Sequence, residues 1–206
     1  MKKICSVEIV GGFLSWGKTS FINSYLEVTR SIEEILVIIQ CEKGNSKINE
    51  EFLSEDKIII KQFKNNDEIT ERTLNRIINF NNPNRIIIEA NGVQSVDYII
   101  REIHKSRGRL GAVFAILDGK TVDIFIRSMG VIMLPLIHMA NMIIINNCED
   151  ISYEKNRELK VLLGQLNKEA YIEQSSSSKD FYRIISSSRV INKGLYKKII
   201  DFINRG

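Results

Sequence analysis

Residues 12–20 read Gly12-Phe13-Leu14-Ser15-Trp16-Gly17-Lys18-Thr19-Ser20. Glycine, four residues, then Gly-Lys-Thr is the spacing of a loop that cradles phosphate. Gly12 and Gly17 free the backbone to turn successive N–H groups inward. Lys18 offers a point charge to the β- and γ-phosphates, and the Thr19 hydroxyl is a ligand for Mg. A helix opening at Thr19 would aim its positive dipole end at the same anion. An apolar strand from Ile4 to Val10 precedes the loop, so strand, loop and helix stand in the order this chemistry requires.

Two further stretches carry groups that suit the same ligand. Arg85–Glu89 is an apolar strand ending in an acid, followed by Ala90-Asn91-Gly92. Beside a phosphate loop such an acid orients Mg or the attacking water, and the Gly92 N–H can reach the γ-phosphate. Glu42 follows the apolar run Ile35–Gln40 and is a second candidate for Mg or water. Asn146-Asn147-Cys148-Glu149-Asp150 follows the strand Met142–Ile145. An Asn with an acid three residues on suits the reading of a base, the carboxylate accepting both N–H groups of a guanine edge. Two registers are open, Asn146 with Glu149 or Asn147 with Asp150. The candidate catalytic residues are thus Lys18, Glu89 and Glu42, and the candidate metal ligands are Thr19, Glu42 and Glu89. The nucleotide-binding set is residues 12–20, Gly92, Asn146, Asn147 and Glu149. Asp118 suits a turn at a strand end, and Ser175–Ser178 either touches the ligand or forms a polar loop. Cys41 and Cys148 read as inert thiols, with metal contact across a dimer as the alternative. His104 is expected on the surface and His138 in the core.

The elements that would position these groups alternate. Strands are expected at Ile58–Gln62, Gly111–Leu117 and Ala170–Ile172 besides those above. Helices are expected to about Thr29, over Asp67–Phe80, Val96–Lys105, 120–140 (one or two) and 151–167, then near 178–187 and 194–204. Short buried strands alternating with helices imply an α/β fold, a P-loop NTPase with a doubly wound, mostly parallel sheet. Ligands of such sheets sit at the carboxyl ends of the strands. The chain of 206 residues is expected to form one domain over 1–206, with terminal helices from about 178 packed on it.

Bulk properties narrow the classes. The net charge of +4 has no basic block, so no nucleic-acid partner is expected. The longest apolar stretch, Val131–Ile145, holds Pro135, His138 and Asn141 and falls short of the ~18 residues of a membrane helix. It reads as a short helix and a buried strand, with no membrane partner. Three scattered cysteines and an early strand suggest a reducing cytoplasm and no signal peptide.

The run Glu8-Ile9-Val10-Gly11-Gly12 to Ser20, with Glu89-Ala90-Asn91-Gly92 and Asn146-Asn147-Cys148-Glu149, resembles the landmarks of the CobW/UreG/HypB group of P-loop GTPases. The likeness covers roughly 3–175. It implies hydrolysis of GTP, with ATP as the alternative, using Mg. It also implies a homodimer and a metallochaperone or maturation role toward a metal- or cofactor-dependent client enzyme. This chain departs from the group's pattern in four places. Residues 41–66 contain only Cys41 where CobW-like proteins carry Cys-x-Cys-Cys. Asn147 and Glu149 replace the Lys and Asp of Asn-Lys-x-Asp. Ser15-Trp16 replaces two small residues, and no counterpart of the CobW C-terminal domain is expected. A nucleotide-binding scaffold with little turnover is a second reading. A small-molecule kinase using Arg107 and Arg109 is a third.

Overall fold

The computed structural model describes residues 4–42, 44, 46–188 and 191. Seven strands form one sheet: β1 (Ser6–Gly11), β2 (Leu36–Gln40), β3 (Ile58–Gln62), β4 (Arg85–Glu89), β5 (Arg109–Asp118), β6 (Met142–Asn146) and β7 (Tyr171–Gln174). Their order is β3-β2-β4-β1-β5-β6-β7, and every pair is parallel. Parallel pairing requires a crossover between successive strands, and helices supply it. They are α1 (Lys18–Thr29), α2 (Glu50–Leu53), α3 (Glu71–Asn81), α4 (Asp97–Lys105), α5 (Val122–Ser128), α6 (Gly130–Met139), α7 (Tyr153–Leu166) and α8 (Phe181–Ser187).

Strand side chains alternate between two cores. Val7, Ile9, Val37, Ile39, Ile86 and Ile88 face α3, α4, α6 and α7. Val10, Leu36, Ile38 and Ile87 face α1, α2 and α8. Both faces are covered, which is why the strands read as continuous Ile and Val runs. Each buried isoleucine contributes about 1.5–3 kcal/mol relative to exposure.

A charged cluster lies inside the α1 face near the amino ends of the strands. Arg85 is 2% exposed, with its Nη1 3.6 Å from Glu8 and its Nε 2.9 Å from Glu34. It donates to the Thr29 hydroxyl at 3.1 Å and lies 5.3 Å from the centre of the Tyr25 ring. Burial pushes the Glu8 carboxyl up to about 7, against the opposing pull of Arg85.

Several expectations change. Helix Asp67–Phe80 divides into a 3-10 turn at Asn66–Glu68 and α3, because the Thr70 side chain caps Thr73 N–H at 3.1 Å. Residues 120–140 form two helices that break at Met129 and meet at 117°. No single helix is long and apolar enough to cross a membrane among the described residues. His138 is exposed on α6, not buried, since Leu136 and Ile137 take the core side. The helix α2 was not expected. The expected helix near 194–204 lies outside the described residues.

Candidate functional site

The loop between β1 and α1 turns tightly against β5 and β4. Gly12 and Gly17 have φ of 142° and 103°, in the region that favours glycine. A Cβ on Gly12 would collide with the Ile116 carbonyl, and one on Gly17 would stand 2.9 Å from the Asn146 amide nitrogen. A Cβ on Gly92 would collide with the Gly12 carbonyl, so that turn packs directly on the loop. Asn66 anchors the same turn from below. Its Oδ1 accepts from Asn91 N–H at 2.8 Å, and its Nδ2 donates to the Asn91 carbonyl at 3.2 Å.

A cleft of about 200 Å³ opens at the carboxyl ends of the strands, lined by Leu14, Ser15, Gly17, Lys18, Thr19, Ser20, Glu42, Gly44, Ser46, Glu89, Asn146, Asn147 and Ser178. Three of the loop segments expected at this edge therefore meet the phosphate loop here, those after β2, β4 and β6. Phe13 and Trp16 turn away from it. Their rings pack on each other and on Phe125 of α5, with centroids 4.4–5.2 Å apart. Only their main chain is left for a ligand. The indole packs on α5.

Lys18 is buried and its ammonium is fully engaged. It donates to the Gly12 and Phe13 carbonyls at 2.7 and 3.0 Å and forms an ion pair with Glu42. Thr19 Oγ1 donates to Glu89 Oε1 at 2.5 Å. The other oxygen of Glu89 accepts from Gln40 Nε2 at 2.6 Å, and Gln40 Oε1 accepts from Gln62 Nε2 at 2.6 Å. This chain of amides runs across the ends of three adjacent strands, and sequence reasoning missed it. The one available signal was a Gln at the end of both β2 and β3. Burial pushes the Glu89 carboxyl above its ordinary range. The hydrogen bonds from Gln40 and Thr19 and the charge of Lys18 pull it down, and Glu42 adds to the rise.

At the other end of the cleft, Asn146 Nδ2 donates to the Trp16 carbonyl at 3.0 Å, while its buried Oδ1 has no hydrogen-bond partner. Asn147 Nδ2 donates to Asp118 at 2.8 Å, and Asp118 accepts from the Thr121 hydroxyl at 2.7 Å, so Asp118 has a turn role. Asp150 pairs with Lys120 at 2.6 Å. Glu149 is exposed and is not part of the cleft lining. Ser175 is buried, with its N–H on the Ile145 carbonyl at 2.8 Å. Of the serine run, Ser178 lines the cleft. Burial and the neighbouring carboxylates of Glu68, Glu89 and Glu42 push the Cys41 thiol up to about 12, which keeps it protonated. No three His, Cys, Asp or Glu side chains converge as a metal-ligand set among the described residues. Arg107 and Arg109 stand at the amino end of β5, across the sheet from the cleft, so neither serves as a lid arginine.

A glycine-bent loop between a central parallel strand and a helix, closed by an acid on the neighbouring strand, defines the P-loop class of nucleotide-binding proteins. The family model for the CobW/HypB/UreG nucleotide-binding domain matches residues 6–174. The chain belongs to this family of P-loop GTPases. Solved structures agree on the fold. A Zn(II)-bound triple mutant of the GTPase YjiA has a TM-score of 0.61 at 20% identity, covering 84% of this chain and 58% of that one. The hydrogenase maturation factor HypB from Archaeoglobus fulgidus has a TM-score of 0.59 at 16% identity, covering 99% and 90%. HypB from Helicobacter pylori in complex with nickel has a TM-score of 0.53 at 14% identity, covering 99% and 86%. The chain thus spans under two thirds of the YjiA chain. No curated protein sequence matches it.

Proposed function

We propose that the chain binds a nucleoside triphosphate in this cleft and hydrolyses it, GTP in preference to ATP, to drive maturation of a metal- or cofactor-dependent client enzyme. The observation that carries the reading is Lys18. A buried ammonium sits on the loop's own carbonyls and is neutralised by Glu42, an acid on a loop. A phosphate can replace that acid as the counter-ion. Main-chain N–H groups of residues 14, 15 and 17–19, in the loop and at the start of α1, complete the anion site. Glu42, once released, and Glu89 are oxygen donors in the same cleft as the Thr19 hydroxyl, a hard set that suits Mg. When bound, Mg neutralises charge on the phosphate oxygens. The residues of the chain then act by position: Lys18 stabilises developing charge, Glu89 or Glu42 orients the attacking water, and Gly92 N–H faces the terminal phosphate.

For the base, Asn147 and Asp150 are already paired with Asp118 and Lys120, which favours Asn146 with Glu149. The orphaned Asn146 Oδ1 suits a base N–H donor. Metal as cargo is the part of the reading that the CobW/HypB/UreG family supports; a homodimer in the cytoplasm completes the proposal. Single-turnover assays with GTP and ATP, with and without Mg, test the reading on the wild type and on Glu89→Gln. Expected is Mg-dependent release of phosphate from GTP, abolished in the variant. Tight binding with no turnover would instead support the scaffold reading.

A further inference from the structure

The sheet ends on β3, which pairs with β2 alone. Phe63 N–H donates to the Gln40 carbonyl and Leu36 N–H to the Lys57 carbonyl. Ile59 and Lys61 therefore turn their main-chain groups toward β2. Alternate residues of a strand point these groups in opposite directions, so Ile60 and Gln62 present theirs at the open side. Such an edge is a template for another strand.

Beside it, on the α3 face, lies a groove of about 340 Å³ whose lining includes Lys61, Phe63, Arg76, Ile77 and Phe80. Phe80 is 80% exposed. Neither Lys61 nor Arg76 has an ion-pair or hydrogen-bond partner, and no acid lines the groove among the described residues. The edge thus combines open hydrogen-bonding groups, aromatic surface and uncompensated positive charge. Two copies pairing through β3 would bring these cations together, which disfavours self-association. We propose that the β3 edge and its groove take up an acidic, extended segment of a partner protein as an added strand. Its main chain bonds Ile60 and Gln62, its carboxylates meet Lys61 and Arg76, and an apolar side chain rests on Phe63 and Phe80. None of these residues lines the nucleotide cleft, and Gln62 reaches it only through Gln40; the variants below change Lys61, Arg76 and Phe80, so their outcome is separate from that of the nucleotide reading.

The test uses the whole chain and a labelled peptide of about ten residues that alternates Glu with Val and Phe. A basic peptide with Lys for Glu and an acidic peptide interrupted by proline serve as controls. The acidic peptide is expected to bind, with Ile60 and Gln62 amides gaining protection from hydrogen exchange. Lys61→Glu with Arg76→Glu should weaken it at least about tenfold and allow the basic peptide to bind instead. Phe80→Ser should weaken it by about threefold or more without altering the circular dichroism. Equal binding of acidic, basic and proline-interrupted peptides would overturn the proposal. So would absence of binding at millimolar peptide, or sedimentation showing a dimer that Lys61→Glu dissolves, since a second copy would then occupy the edge.

Discussion

Two buried charge clusters share the α1 face of the sheet, one near each end of the strands. At the amino end, Arg85 lies among Glu8, Glu34, Thr29 and the Tyr25 ring, and most of these stand on α1, β1 and β4. At the carboxyl end, Lys18 meets Glu42, which stands on the loop after β2. Both clusters cost desolvation that only good pairing offsets. In the first, Glu8, Thr29 and Tyr25 stand on β1 and α1, and Glu34 alone stands on a loop, the one before β2. The second has a single carboxylate partner, Glu42, on the loop after β2. On the function proposed above, the first cluster is a structural device and the second is an anion site.

The comparison breaks most sharply at Arg85. Arg85→Leu leaves Glu8 and Glu34 buried without their cation, and should cost about 3–5 kcal/mol in urea unfolding. Nucleotide affinity of the folded fraction should stay unchanged. Lys18→Ala should do the reverse. Calorimetry should show nucleotide affinity falling about a hundredfold, ~2.7 kcal/mol, with unfolding midpoints nearly those of wild type. Loss of stability without loss of binding would contradict the assignment.

Glu8 sharpens the contrast through pH. Its carboxyl is raised from 4.5 to about 7 in the folded state, so the folded chain holds this proton more firmly than the unfolded one. Stability from this group is fully present at low pH and declines as pH rises from 4.5 to about 7. Glu8→Gln should remove a slope on the order of 1–3 kcal/mol across that window, seen by unfolding at a series of pH values. Gln40→Leu should weaken Mg-dependent nucleotide binding by about 1–2 kcal/mol, because Glu89 loses a donor. Binding without Mg should be unaffected, and an equal loss in both conditions would mean general damage. Glu42→Gln is the mildest variant. Releasing Lys18 should tighten Mg-free binding by ~0.5–1 kcal/mol.

Much of this arrangement was legible in the chain. β3 and β4 have the bounds read from their Ile runs, because strands covered on both faces must be continuously apolar. The phosphate loop was legible because glycine spacing and a following helix are local properties. What escaped were partnerships between distant polar residues. Nothing local to Asn66 shows that it holds the turn before Gly92. Gln40 and Gln62 are 22 residues apart and meet only because their strands pair in register. Arg85 read as the first residue of a strand, with nothing to show two carboxylates waiting for it. Lys18 read as a ligand group, with no hint that Glu42 holds its place.

Trp16 is the chain's one tryptophan, and it lies within the phosphate loop. Its ring is 6% exposed and rests against Phe13 and Phe125, and its carbonyl receives the Asn146 amide. The tryptophan emission of this protein is therefore a signal from one place. Excitation of the indole follows the loop alone, without a label, and any ligand that rearranges the loop writes itself into the colour and intensity of that light.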